Sequence, residues 1–208
     1  MNVIVFGATG LAGRGIVEEC ANAGYDVTAY TRRDNYPFES TDIRIFKGDL
    51  TNTDDLTAAL TDQQTIVCAL GARDYSKPNY VISDWLERVI PIARKLNILR
   101  YLMVSGAGLL QFDEDILVRE LPTYPPRFVN VNRDHTRALD LLLTSHLNWT
   151  LVCCPRIIEG DADGNYVVAR DYVPKDGAHH ITAGNIGRFM VQEIEAYPHT
   201  RVGIASKA

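Results

Sequence analysis

The residues of this chain best suited to chemistry by type and spacing are glycines. Gly7, Gly10 and Gly13 spell G-x-x-G-x-x-G, directly after the apolar run Val3–Phe6 and directly before a helical pattern. Glycines in that setting allow a tight strand-to-helix turn. They also leave main-chain N–H groups free to approach a diphosphate at the positive end of a helix. Gly7, Thr9, Gly10, Leu11 and Ala12 are therefore the candidate diphosphate contacts, and Gly24 is a plausible end for the helix that follows. The second chemical signal comes where the next apolar run ends, at Thr31, Arg32 and Arg33. About 20 residues after such glycines, an NAD-binding chain usually offers Asp or Glu to the ribose hydroxyls. Two guanidiniums there suit a 2′-phosphate instead, because each presents several N–H donors. Asp34 comes later than that position requires, so the expected cofactor is NADP(H) in preference to NAD(H).

Other constellations are weak. His179 and His180 are adjacent and on a strand would point to opposite faces, with no partner at ligand spacing, so no metal site is expected. G-x-S-x-G is absent, which argues against a serine hydrolase of that type. Cys20, Cys68, Cys153 and Cys154 lie in apolar surroundings without C-x-x-C spacing and read as buried thiols.

These groups need a scaffold to position them. With 208 residues, 46% of them hydrophobic, the chain can build one compact domain, 1–208. A net charge of −5 gives no electrostatic footprint for nucleic acid. No apolar run approaches the roughly 18 residues a membrane span needs, and no targeting segment is evident, so a cytoplasmic location is expected. Asn2–Phe6, Asp26–Tyr30, Ile43–Phe46, Thr65–Ala69, Arg100–Val104 and Trp149–Cys153 read as strands buried on both faces. Helical patterns lie at 11–23, 53–60, 79–97 and 128–146. In the third, Trp85, Val89, Ile92 and Leu96 share a face and Pro91 predicts a kink; in the fourth, Leu139, Leu142 and Leu143 make the apolar stripe. This alternation predicts an α/β doubly wound parallel sheet, the Rossmann fold. Loops 109–127 and 158–180 interrupt the alternation and are expected to form a small C-terminal lobe shaping the substrate side.

Taken together, the motifs resemble the atypical short-chain dehydrogenase/reductase superfamily over nearly the whole length. GATGLAG is similar to its nucleotide loop, and Lys47-Gly48-Asp49-Leu50 to its segment after strand three, which implies adenine contacts from Asp49 and Leu50. Ala69-Leu70-Gly71 stands where the family packs small residues against the cofactor, and Val104-Ser105-Gly106-Ala107 matches its strand-five serine motif. Trp149 to Val152 leading to Pro155-Arg156-Ile157 resembles strand six, whose following main chain passes the nicotinamide. Ile181 to Phe189 resembles the opening of the closing helix, with Asn185 where Asp is common. Within the superfamily, length and motif order are most similar to the NmrA-like and biliverdin reductase B (flavin reductase) branch. That branch carries a histidine after the strand-six proline, where this chain has Arg156.

Classical members use Tyr-x-x-x-Lys as their acid/base pair. No tyrosine of this chain is followed by lysine at the fourth position, and with His135 in the lysine's place Val131 falls in the tyrosine's. Alcohol/ketone chemistry and epimerisation by that route are therefore not expected. Hydride transfer to a flavin or similar planar conjugated acceptor asks less of the protein, which mainly positions two rings. Ser105 and His135 are the candidate catalytic residues, Ser105 also as a nicotinamide contact; Arg156 would hold an acidic substrate or a cofactor phosphate. Tyr124, Tyr166 and Tyr172 would stack on an acceptor or roof a small core. The alternative is an NADP-binding redox sensor of NmrA-like type, with little catalysis and a protein partner or second copy of the chain. On either reading the final helix region Gly187–Glu195 is expected to be exposed or paired.

Overall fold

The computed structural model describes residues 1–34, 36, 38, 42–72 and 74–208. Its main sheet has eight strands in the order β3-β2-β1-β4-β5-β6-β10-β8. These are β1 (Asn2–Phe6), β2 (Asp26–Thr31), β3 (Ile43–Lys47), β4 (Thr65–Cys68), β5 (Arg100–Gly106), β6 (Asn148–Cys154), β10 (Thr200–Ser206) and β8 (Tyr166–Arg170). All neighbours are parallel except β8, which runs antiparallel to β10 at the edge. Two short strands, β7 (Arg156–Ile158) and β9 (His180–Thr182), make a separate parallel pair. The helices are α1 (Leu11–Asn22), α2 (Thr53–Leu60), α3 (Val81–Lys95), α4 (Val129–Leu143) and α5 (Ala183–Gln192).

The doubly wound architecture follows from strands that are apolar on both faces. Ile4, Phe6, Ile66, Tyr101 and Met103 pack under Leu56 of α2, Trp85 and Val89 of α3 and Leu142 of α4. Val3, Val5, Val67 and Leu102 pack under Ile16 and Val17 of α1 and Ile186 and Phe189 of α5. All four cysteines are buried free thiols.

Several elements differ from their sequence-based expectation. α3 runs on through Pro91. Both Pro91 and Glu87, whose carbonyl loses its intrahelical donor there, are exposed, so water can satisfy the freed group. In α4 the buried face is Asp134, His135, Ala138 and Leu142, while Leu143 is 62% exposed. The last helix begins at Ala183, and it packs along α1 instead of standing free.

The two long loops meet each other. Gln111 N donates to Asp171 O (2.9 Å), Val173 N donates to Gln111 O (3.0 Å), and Arg201 Nη1 donates to Leu109 O (2.8 Å). Leu109 and Leu110 are buried in the core on the α3–α4 side. Within the second loop, Tyr166–Arg170 is β8, a strand of the main sheet. Among the described residues, no helix is long and apolar enough to cross a membrane.

Candidate functional site

Strand order reverses between β1 and β4, and open α/β sheets bind ligands outside the carboxyl ends of the strands at such a point. A cleft of about 470 Å³ lies there. Gly7, Thr9 and Gly10 line it from the β1–α1 turn, Tyr30 to Arg33 from the end of β2, Leu50 from beyond β3, and Ala69, Leu70 and Gly71 from beyond β4. Ten of the residues singled out in the sequence thus surround one space.

The glycines of the turn do different jobs. Gly7 has φ +82°, and a Cβ on it would sit 2.4 Å from Ala69 O of the neighbouring strand end. A Cβ on Gly13 would sit 2.1 Å from Gly7 O, so Gly13 is what lets α1 press onto the turn. The bend closes through Gly10 N donating to Gly7 O at 2.9 Å. Gly10 itself is exposed, and its nearest Cβ obstacle is 3.2 Å away. The fold alone therefore asks little of Gly10; its missing side chain leaves open the space in front of α1. That helix has no side-chain cap and no acid in its first turn, so its leading N–H groups have no side-chain acceptor. This cradle fits a diphosphate.

Leu11 and Ala12 form the first turn of α1, Ala12 buried against the sheet. Arg32 and Arg33 are exposed at the rim, with Arg33 N held by Thr31 Oγ1 at 3.0 Å. Asp34 is ion-paired with Lys47 of β3 and does not line the cleft. Asp49 Oδ1 accepts from Thr51 N (2.8 Å) and Thr51 Oγ1 (2.9 Å). Those bonds, with Arg32 nearby, hold its carboxyl below the usual carboxylate range. Leu50, not Asp49, faces the cleft.

Sequence reasoning missed Tyr30, which reads as one more apolar strand residue. Its ring centroid lies 4.7 Å from that of Phe6 and 5.6 Å from that of Phe46. Its buried hydroxyl has no hydrogen-bond partner among the described residues, and burial followed by the nearby Asp55 and Asp49 carboxylates pushes its pKa well up.

Ser105 and His135 come together at the end of β5. Ser105 Oγ lies 3.0 Å from His135 Nδ1, and Gly106 N donates to the same nitrogen at 3.1 Å. Nδ1 is therefore an acceptor, and the neutral ring carries its proton on Nε2. Burial lowers the pKa of His135 to about 4, against a smaller opposing pull from Asp134. Val131, one turn before His135 on α4, brings no proton donor. Both members of the pair are buried, and neither is among the residues lining the 470 Å³ cleft.

Pro155 follows β6, and Arg156 and Ile157 lie in β7. Arg156 is exposed and pairs in register with His180; Ile157 packs against the α1–α5 side. The structure places none of the three on the cleft lining. Tyr166 donates to Gln192 Oε1 (2.8 Å) and roofs Phe189, Tyr124 packs against Phe128, and Tyr172 is exposed.

Comparison with known proteins bears on the family and the fold. The NAD(P)H-binding family matches residues 7–196. The protein YwnB of Bacillus subtilis, itself uncharacterised, is 27% identical over 207 residues, covering 96% of this chain and 94% of that protein. A Streptococcus pneumoniae structure, provisionally described as an NADH-flavin reductase, is 29% identical with a TM-score of 0.85 over the full length of both chains. A short-chain dehydrogenase/reductase of Veillonella parvula, solved with NADP, shares the fold at 16% identity and a TM-score of 0.76, covering 99% of this chain and 94% of that one. The chain belongs to the NAD(P)H-binding family, and its fold is the Rossmann fold.

Proposed function

We propose that the protein is an NADPH-dependent oxidoreductase that passes hydride to a flavin or similar planar conjugated acceptor. The observation that carries the cofactor assignment is the cleft itself. An uncapped helix start behind Gly10 fits the diphosphate, and two exposed arginines stand where a 2′-phosphate would lie. Leu50, Leu70 and the Tyr30 ring would hold the adenine, and Ser105 would meet the nicotinamide end beyond β5. Bound NADPH supplies the hydride. What the chain supplies is position.

The absence of a tyrosine–lysine pair favours an acceptor that needs no strong protein acid. His135 is neutral across the physiological range and accepts at Nδ1, so the Ser105–His135 pair is a poor proton donor to an alkoxide. A flavin ring can take its proton from water. The provisional flavin-reductase description of the Streptococcus protein supports the same acceptor class.

The test is steady-state oxidation of NADPH and NADH with riboflavin phosphate, in wild type and in Arg32→Ala/Arg33→Ala. The wild type should turn over and prefer NADPH. The double variant should lose about 1–3 kcal/mol of kcat/KM with NADPH, the range of charge-assisted hydrogen bonds, and almost nothing with NADH. Equal losses with both cofactors would remove the 2′-phosphate assignment. Tight binding with no turnover of any flavin or quinone would assign the chain to nucleotide sensing instead.

A further inference from the structure

We infer that Lys47 sets the cofactor preference by holding Asp34 away from the adenosine end of the cleft. The inference rests on the NADPH reading above and adds the residue that would enforce it.

Asp34 is three residues beyond Thr31, the last residue of β2, and follows the two arginines directly. Asp34 comes later than the usual ribose acid, but a carboxylate released at the loop there could turn back to the ribose hydroxyls of NADH and would repel a 2′-phosphate. At roughly 3.5 Å per residue Asp34 lies at most about 10 Å from Thr31, about one screening length at 0.1 M salt.

The fold prevents this from the neighbouring strand. Lys47 is the register partner of Thr31 across the β2–β3 pair, so its side chain rises at the same rim. Its Nζ bonds Asp34 Oδ1. Arg32 and Arg33 line the cleft and Asp34 does not. The ammonium partly neutralises the carboxylate and biases it toward β3. The pair is largely exposed, with side chains 59% and 87% accessible, so it adds little to stability and removing it should leave the fold intact.

The measurement is calorimetric titration of NADPH and NADH into wild type, Lys47→Met, Asp34→Asn and the double variant. Lys47→Met should tighten NADH and weaken NADPH. The affinity ratio should move about three- to tenfold towards NADH, as expected for one partly screened charge released at the rim. In the Asp34→Asn background, Lys47→Met should leave the ratio where it was. A shift that persists undiminished in that background would overturn the inference, because Lys47 would then be meeting the phosphate itself. So would an NADH affinity that Lys47→Met leaves unchanged. The arginine variants report on the 2′-phosphate separately, since the gain in NADH affinity is read without NADPH. Intact arginine effects with a flat NADH response sink only the role of Lys47.

Discussion

At the scale of single residues, the opening turn separates what the fold requires from what a ligand requires. Gly13→Ala would place a methyl 2.1 Å from Gly7 O, and backbone would have to move. We expect it to cost about 1–3 kcal/mol or more of stability by overpacking. Gly10 has an extended backbone that alanine adopts freely, with φ −76° and ψ 170°. Gly10→Ala should therefore cost under about 1 kcal/mol, the difference between the two residues as a helix cap. Its methyl nonetheless occupies the cradle, so NADPH affinity should fall at least about tenfold, or about 1.4 kcal/mol. Thermal melts and titration of both variants check the contrast; equal nucleotide binding by Gly10→Ala and wild type would move the diphosphate elsewhere. These glycines were legible in sequence because their requirement is local. The Lys47–Asp34 pair was not, because it depends on strand register, and Tyr30 was not, because a buried ring and a ring beside a ligand look alike in sequence.

At the scale of elements, α3 depends on α4 for its start. α3 has no cap of its own. Asp134 of α4 accepts from Ile82 N (3.0 Å) at Oδ2, and from Ser83 N (2.9 Å) and Ser83 Oγ (2.7 Å) at Oδ1. Arg137, one turn on, is ion-paired with Asp84 and Glu87 of α3. Asp134→Ala removes a buried carboxylate and strands three donors, so we expect a loss of about 2–4 kcal/mol in urea unfolding and faster amide exchange at Ile82 and Ser83. Asp134→Asn should retain part of the cap and lose less; a variant as stable as wild type would show that α3 needs no help. This cap also explains the misread stripe of α4. Periodicity counts leucines, but Asp134 and His135 hold buried positions through partners on other elements, and Leu143 is displaced to the surface. The inner parallel strands were legible because burial on both faces makes them largely apolar, while β3, at the sheet edge with Arg44 and Lys47 exposed, was legible from Ile43, Ile45 and Phe46. β7 and β9 have three residues each, too few for a pattern. β10 carries Gly203 and Ala205 among its apolar residues, which blurs its outline.

At the scale of the whole molecule, one buried imidazole links stability to pH. His135 joins α4 to the end of β5 through Ser105 and Gly106, near the middle of the sheet. Burial lowers its pKa from 6.5 to about 4 in the folded chain. Between those values the unfolded chain binds a proton that the folded chain refuses, so stability must rise with pH across that window. The contribution is fully present above about pH 6.5 and is lost as pH falls to about 4. It amounts to about 3 kcal/mol in all, with about 2 kcal/mol already gone at pH 5. The direction is physically reasonable because a proton on Nδ1 would face the Gly106 N–H, which can only donate, and would require the Ser105 hydroxyl to turn and accept. His135→Asn cannot titrate. It should lower stability at pH 7, yet lose about 2 kcal/mol less than wild type between pH 7 and pH 5 in urea unfolding. Other groups also titrate in that interval, but they are common to both proteins and cancel in the comparison. Parallel losses in the two would mean that His135 takes up its proton in the folded state, and the Ser105 hydroxyl would then be the acceptor of that pair.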